Sequence, residues 1–183
     1  MKQKSGRKKD FSQKLLTRLE ALKLLGRSGC SEGIRKHCLA VSKQAVKLAK
    51  SLQERGYDVD LQFVETAGLL HDIGRSVTHG IRHGIGGANM LKDYPRYARV
   101  CERHIGAGIG KDEAKKLGLP ARDYIPRTLE EEIIAHADNM TEGSKVVSID
   151  ETIQAYEKKF GRDHPATLRI MQLNEKMKKM LGE

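Results

Sequence analysis

Six residues have the types and spacing to share one piece of chemistry: His37, His71, Asp72, His83, His104 and Asp138. Each falls where a helix would turn it inward. His71 continues an apolar stripe through Val64 and Gly68. His37 lies between Ile34 and Val41 at helical spacing, His104 follows Val100 and Cys101, and Asp138 follows Ile134 and Ala135. His83 shares a face with Gly87 and Met90. An ionisable side chain on an inward face is costly unless it is paired or metal-bound. One inward histidine is ordinarily a hydrogen-bonded core residue. Several from different helices, with two carboxylates among them, are more economically explained by a shared metal site. Imidazole and carboxylate ligands suit Fe, Mn, Zn, Co or Ni.

The elements that must position these residues are helices. The leucines between Phe11 and about Gly26 recur at helical spacing, and SGCSEG breaks the pattern. Ser31 is placed to cap a helix from Glu32 to about Arg55, which carries His37. A third helix is expected from about Val59 to Asp72, with Gly74 stopping it. The glycine-rich stretch 74–110 suggests helices over about 81–93 and 95–105, then the loop IGAGIGKD. A short helix follows over 112–118. Thr128 can cap a helix from Leu129 to about Met140, with Glu131 completing a capping box. Two more helices, about 149–160 and 163–181, end the chain, the second starting at Pro165. No segment alternates apolar and polar residues for long enough to be a strand. The expected fold is all-α, one domain of seven to nine helices over 11–183, behind a basic flexible arm at 1–10.

The composition agrees with this. The chain has 183 residues, 38% hydrophobic and 32% charged, which suits a single core. No apolar run is long enough to span a membrane, and none follows the basic N-terminus as a signal peptide would require. Cys30, Cys38 and Cys101 form no CxxC pair, which fits a reducing cytoplasm better than a disulfide framework. Residues 1–36 contain eleven Lys and Arg against three Asp and Glu, so they hold +8 of the formal +10. A basic arm of this kind could contact nucleic acid, although a solvated tail is the commoner reading.

The order His37, His71–Asp72, Asp138, with HDIG at 71–74 and ADNM at 137–140, resembles the HD-domain metal-dependent phosphohydrolases. The resemblance covers about residues 32–142. THGIRHGIGGA, ERHIGAGIG and LGLPARDYIPRTLEEEIIAHADNM are further similar to an archaeal HDIG group. That group includes an enzyme that opens the cyclic phosphate of dihydroneopterin 2′,3′-cyclic phosphate. The resemblance implies that His37, His71, Asp72 and Asp138 bind one divalent metal. It also implies that Asp72 bridges to a second ion held by His83 and His104, giving one or two ions per chain. Asp72, His83 and His104 would then be catalytic, and a bound water would have its pKa lowered to about 7.

The implied activity is hydrolysis of a small nucleotide-like or pterin cyclic phosphate. A nucleotidase or dinucleoside polyphosphate hydrolase is the alternative within that chemistry, and an RNA-binding module using the arm is the alternative outside it. Arg75, His79, Arg103 and Lys111 are candidate phosphate contacts, because each lies next to a motif or one helical turn from a ligand. His136 is turned about 200° from Asp138 on a helix and points elsewhere. IGAGIGKD lacks the GxxxxGK[ST] of a phosphate loop and has no strand before it, so it reads as a flexible rim of the pocket. Cys38, beside His37, reads as a core thiol.

Overall fold

The computed structural model describes residues 14–183, so the arm expected at 1–10 lies outside the described residues. Among those residues there are nine α-helices: α1 (Arg18–Arg27), α2 (Glu32–Glu54), α3 (Leu61–Leu70), α4 (His83–Met90), α5 (Pro95–Arg103), α6 (Lys111–Lys116), α7 (Leu129–Asn139), α8 (Ile149–Phe160) and α9 (Pro165–Leu181). The fold is all-α. The first helix starts later than its leucine spacing suggests. Thr17 stops it from extending toward Phe11 by forming a capping box. Its hydroxyl accepts from the Glu20 N–H at 3.2 Å, and the Glu20 carboxylate accepts from the Thr17 N–H at 2.8 Å.

Two expectations about helix ends are corrected. The third helix stops at Leu70, and after a turn the chain runs into a short 3-10 helix over Ile73–Ser76. Gly74 lies inside that turn of helix and does not terminate α3. Its lack of a side chain serves packing, because a Cβ there would lie 2.0 Å from the His83 carbonyl oxygen and 2.3 Å from the Gly87 nitrogen. Thr128 does cap α7, accepting from the Glu131 N–H at 3.3 Å, but Glu131 does not reach back to complete a box. Its buried carboxylate needs a charge partner. It accepts from the Arg127 N–H at 2.7 Å and from Arg103 at 2.8 and 3.0 Å.

A third correction is a small antiparallel hairpin, β1 (Thr141–Glu142) with β2 (Lys145–Val146). Strands two residues long cannot show an alternating pattern. The hairpin nevertheless matters, because its turn presents the Gly143 carbonyl to His37.

The core is built on α2, which packs on α3 and α7, with α1 against α3, α4 against α5, and α9 against α7. Val41, Ala45, Leu52, Val64, Leu69, Leu70, Ile133 and Ile134 are all fully buried there. Burying each large aliphatic side chain contributes roughly 1.5–3 kcal/mol. α2 and α3 approach almost backbone to backbone, since a Cβ on Gly68 would lie 2.9 Å from the Ser42 Cα. That contact carries α3, and so His71, up to α2. Gly68→Ala should therefore force the two helices apart and cost about 1–3 kcal/mol, as overpacking does. Urea denaturation followed by circular dichroism would read this as a lower midpoint.

Candidate metal centre

The six predicted ligands meet in one place, and most come from helix ends. His71 caps the C-terminus of α3, and Asp72 follows it. His83 opens α4, His104 caps the C-terminus of α5, and Asp138 is the penultimate residue of α7. His37 comes from the second turn of α2. The last four carbonyls of a helix have no intrahelical partner. Two histidines use them: His71 Nδ1 lies 2.8 Å from the Gly68 oxygen, and His104 Nδ1 lies 2.9 Å from the Cys101 oxygen. His83 Nδ1 makes the same contact to the Gly80 oxygen at 2.8 Å, and His37 Nδ1 to the Gly143 oxygen at 2.8 Å.

A carbonyl can only accept, so each Nδ1 carries a proton and Nε2 is the nitrogen left for a cation, bare whenever the ring is neutral. All four Nε2 atoms point at the two carboxylates. His37 Nε2 is 2.9 Å and His71 Nε2 3.4 Å from Asp138 Oδ1. The same nitrogens are 3.8 and 3.9 Å from Asp72 Oδ2. On the other side, His83 Nε2 and His104 Nε2 are 3.1 and 3.3 Å from Asp72 Oδ1. Asp72 thus lies between two ligand groups, His37–His71–Asp138 and His83–His104.

The donor set fits a divalent cation. His83 and His104 face each other Nε2 to Nε2 at 3.1 Å. Two such lone pairs repel unless a proton or a metal ion stands between them. His71 Nε2 and Asp72 Oδ1 are buried without a hydrogen-bond partner, a costly state that a cation relieves. Three triplets, His37–His71–Asp72, His71–His104–Asp138 and Asp72–His83–His104, each bring their ligand atoms within 4.8 Å of one another.

The charges are strongly coupled. Burial opposes ionisation of Asp72, but His71, His104 and His83 hold its carboxyl well below the usual carboxylate range. Asp138 behaves likewise against His37 and His71. Burial works against a charge on His71, yet Asp72 and Asp138 raise its pKa to about 9. For His104 burial wins, and its pKa is lowered despite Asp72.

The structure separates the four candidate phosphate contacts. Arg75 stays at the centre: its Nε donates to Asp72 Oδ2, and its side chain lines a cleft of about 350 Å³ with His37 and Asp138. His79 is exposed, in the turn before α4. Because α4 begins only at His83, the helical i to i+4 alignment expected for His79 does not arise. Arg103 turns away from His104 and binds Glu131. Lys111 is exposed at the start of α6, where its backbone N–H donates to Asp123 Oδ1 at 2.8 Å. His136 is buried away from the ligands, and burial pushes its pKa down to about 4. Cys38 is a buried thiol whose pKa burial raises well above normal.

Sequence reasoning missed the far wall of the cleft, which Asn139, Thr141, Thr152 and Tyr156 supply. They come from the end of α7, the hairpin and α8, and only the proximity of Asn139 to Asp138 signalled any of them.

An all-α bundle that focuses four imidazoles on two carboxylates has the donor set of a divalent-metal centre. The chain matches the HD domain over residues 34–143 and belongs to that family. It is 52% identical to an uncharacterized protein of Methanocaldococcus jannaschii over 155 residues, which are 83% of this chain and 92% of that protein. It is 39% identical to a tRNA (cytidine(56)-2′-O)-methyltransferase of Picrophilus torridus, over 89% of this chain but 47% of the relative. Ribonuclease Y of Clostridium kluyveri is 30% identical over 84% of this chain and 30% of its own length. The chain therefore spans about half of the methyltransferase and less of the ribonuclease. No solved structure matches.

Three outcomes follow for the centre. Asp72→Ala and Asp138→Ala should each abolish tight binding of Mn(II) or Co(II), with helical content retained by circular dichroism. Gly74→Ala should weaken metal binding at least tenfold, because the new methyl must push the His83 backbone aside, whereas Gly68→Ala should lower stability with a smaller effect on affinity. The third concerns pH. A His71 pKa raised to about 9 means that the metal must displace a proton from this ring. Apparent affinity should thus rise with pH, by up to about tenfold per unit below that pKa, and level off above it. Competition with a chromophoric chelator would measure both effects.

Proposed function

We propose that this HD-domain protein is a phosphodiesterase acting on a small nucleotide-like or pterin cyclic phosphate. The observation that carries this reading is the position of Asp72. It lies between two histidine groups and is bound by Arg75, which lines the neighbouring cleft together with His37, Asp138, Glu142 and Glu151. Fe, Mn, Zn, Co or Ni in one or two ions would be held by His37, His71, Asp72 and Asp138 and by Asp72, His83 and His104. Bound metal supplies water activation and charge neutralisation at the phosphoryl group.

The protein's own groups do the rest. Arg75 shares one edge of its guanidinium with Asp72, and its remaining N–H donors can bind a phosphoryl oxygen. The Nδ1 hydrogen bonds keep each imidazole in one tautomer and one orientation. Asn139 is fixed by donating to the Gly106 oxygen at 2.9 Å and forms part of the cleft wall. If the second group holds no ion, His83 or His104 would have to take up a proton at Nε2 before it could protonate the leaving oxygen. A cleft of about 350 Å³ suits a small phosphoester. A nucleotidase or dinucleoside polyphosphate hydrolase uses the same centre.

A second reading takes an RNA phosphodiester as substrate. It is favoured by relatives named ribonuclease Y and tRNA methyltransferase and by the excess of basic residues in 1–36.

The test is hydrolysis by anaerobically purified protein supplied in turn with Fe(II), Mn(II), Co(II), Ni(II) and Zn(II). The substrates are cyclic phosphates, nucleoside monophosphates, dinucleoside polyphosphates and short RNAs. Turnover of a cyclic phosphate, lost in Asp72→Ala and reduced at least tenfold in Arg75→Ala, is expected; turnover of RNA alone favours the second reading. The His83→Ala/His104→Ala double variant should lose one metal equivalent per chain and most turnover. An unchanged metal count would place the pair on the substrate side.

A further inference from the structure

A second cavity, of about 250 Å³, adjoins the cleft. It lies between the IGAGIG loop, α6 and the C-terminal helices, and Tyr156 lines both spaces. Ile105, in its wall, directly follows the candidate ligand His104, so the cavity begins one residue from the metal centre. Its other walls are largely apolar, including Ile81, Ile109 and Leu117.

One side is a series of rings. Tyr156 and Phe160 have centroids 5.5 Å apart, and Phe160 stacks on His164 at 5.1 Å with 24° between planes. These rings come from α8 and the start of α9, beyond residue 143, where the match to the HD domain ends.

The loop side is pre-formed rather than the flexible rim expected from its glycines. Asn139 Nδ2 donates to the Gly106 oxygen and Arg169 Nε to the Gly108 oxygen, each at 2.9 Å. Ile109 and Tyr124 exchange backbone hydrogen bonds. Gly108, at φ +93°, has no room for a Cβ, which would lie 2.7 Å from the Tyr124 oxygen.

Three donors line this space, beside the Glu113 carboxylate that Arg169 pairs. The Tyr156 hydroxyl and Lys116 ammonium have no hydrogen-bond or ion-pair partner among the described residues. His164 Nδ1 accepts from the Ala166 N–H at 3.2 Å, so its proton is on Nε2, which is likewise unpartnered there.

We infer that this cavity binds the planar heteroaromatic ring of the substrate, with Tyr156 standing between the ring and the phosphate end. Stacked rings and aliphatic walls favour a flat aromatic guest, and the donors favour one whose edge carries carbonyl oxygens or ring nitrogens. The volume holds a single mono- or bicyclic heterocycle, of purine or pterin size. The C-terminal helices thereby decide which phosphoester reaches the HD-domain centre. The inference rests on the proposed phosphodiesterase reading only for where the phosphate lies.

The test separates the two. The full chain is titrated with guanosine, adenosine, neopterin and ribose, none of them phosphorylated, and binding is read by saturation-transfer NMR. At least one heterocycle should bind and ribose should not. Ala166→Phe, which fills the cavity, should weaken that binding at least tenfold. Phe160→Ala, at an exposed position outside the buried core, should weaken it at least threefold. Adding EDTA, which strips any metal from the centre, should leave it within twofold. Absence of binding by every heterocycle, indifference to both cavity variants, or loss of binding on adding EDTA overturns the inference. Hydrolysis of a nucleoside 2′,3′-cyclic phosphate against ribose 2,3-cyclic phosphate then adds a second readout: Ala166→Phe should raise KM for the first only. If heterocycles bind as expected and no phosphoester is hydrolysed, the phosphodiesterase reading falls and this one stands.

Discussion

The structure depends on a buried anion. Asp72 lies 3% exposed at the meeting point of α2, α3, α4 and α5, with Arg75 on one oxygen and two imidazoles close to the other. Removing a carboxylate from water costs several kcal/mol, and only cationic or strongly donating neighbours offset it. Arg75 supplies one positive charge, and His71, with its pKa raised to about 9, supplies another. Even so, Asp72 Oδ1 and His71 Nε2 remain without hydrogen bonds. A protein that evolved only for stability would replace such a cluster with apolar side chains of similar volume. Its retention of four imidazoles with fixed Nδ1 protons is understandable as preparation for a cation.

Bringing the candidate ligands from five helices to one point requires close helix contacts, and small residues provide them. Gly68 lets α3 touch α2, while Gly74 lets the 3-10 helix lie on α4. Within α4, Gly84 and Gly87 meet α5, where Cβ atoms would lie 2.7 Å from the Cys101 oxygen and 3.0 Å from its side chain. That same Cys101 carbonyl also accepts from His104 Nδ1. The α4–α5 contact therefore fixes the separation of His83 and His104 directly. The final glycine of HDIG and two of the three in HGIGGA, Gly84 and Gly87, act through close approach of neighbouring atoms rather than through turn conformation.

This division explains what was legible in the sequence. The inward stripe of α2 and α7 and the motif order placed His37, His71, Asp72 and Asp138 together, because helical spacing reports which face a residue occupies. The boundaries of the long helices were legible for the same reason, through Ser31, Thr128 and Pro165. Spacing could not report what happens where a helix stops. His79 looked like a partner of His83 only if both lay on one helix, and α4 starts at His83. Arg103 looked free to bind phosphate because the buried Glu131, distant in sequence, was its real counter-ion. The Gly143 carbonyl that orients His37 comes from a hairpin too short to leave a pattern.

The C-terminal helices were the least legible part, since α8 and α9 carry no motif. Their contribution becomes visible only when Tyr156 is seen against Asn139 and Asp138 in the cleft, and against Ile105 and Gly106 behind it. Metal chemistry tolerates little variation, because bond lengths and ligand types are fixed by the ion. Shape recognition of a substrate tolerates a great deal. Candidate ligands held within the HD domain, with a ring-lined wall supplied from outside it, would place these two demands on separate parts of the chain. Changes to that cavity would then alter what is bound without disturbing the carboxylate at the centre.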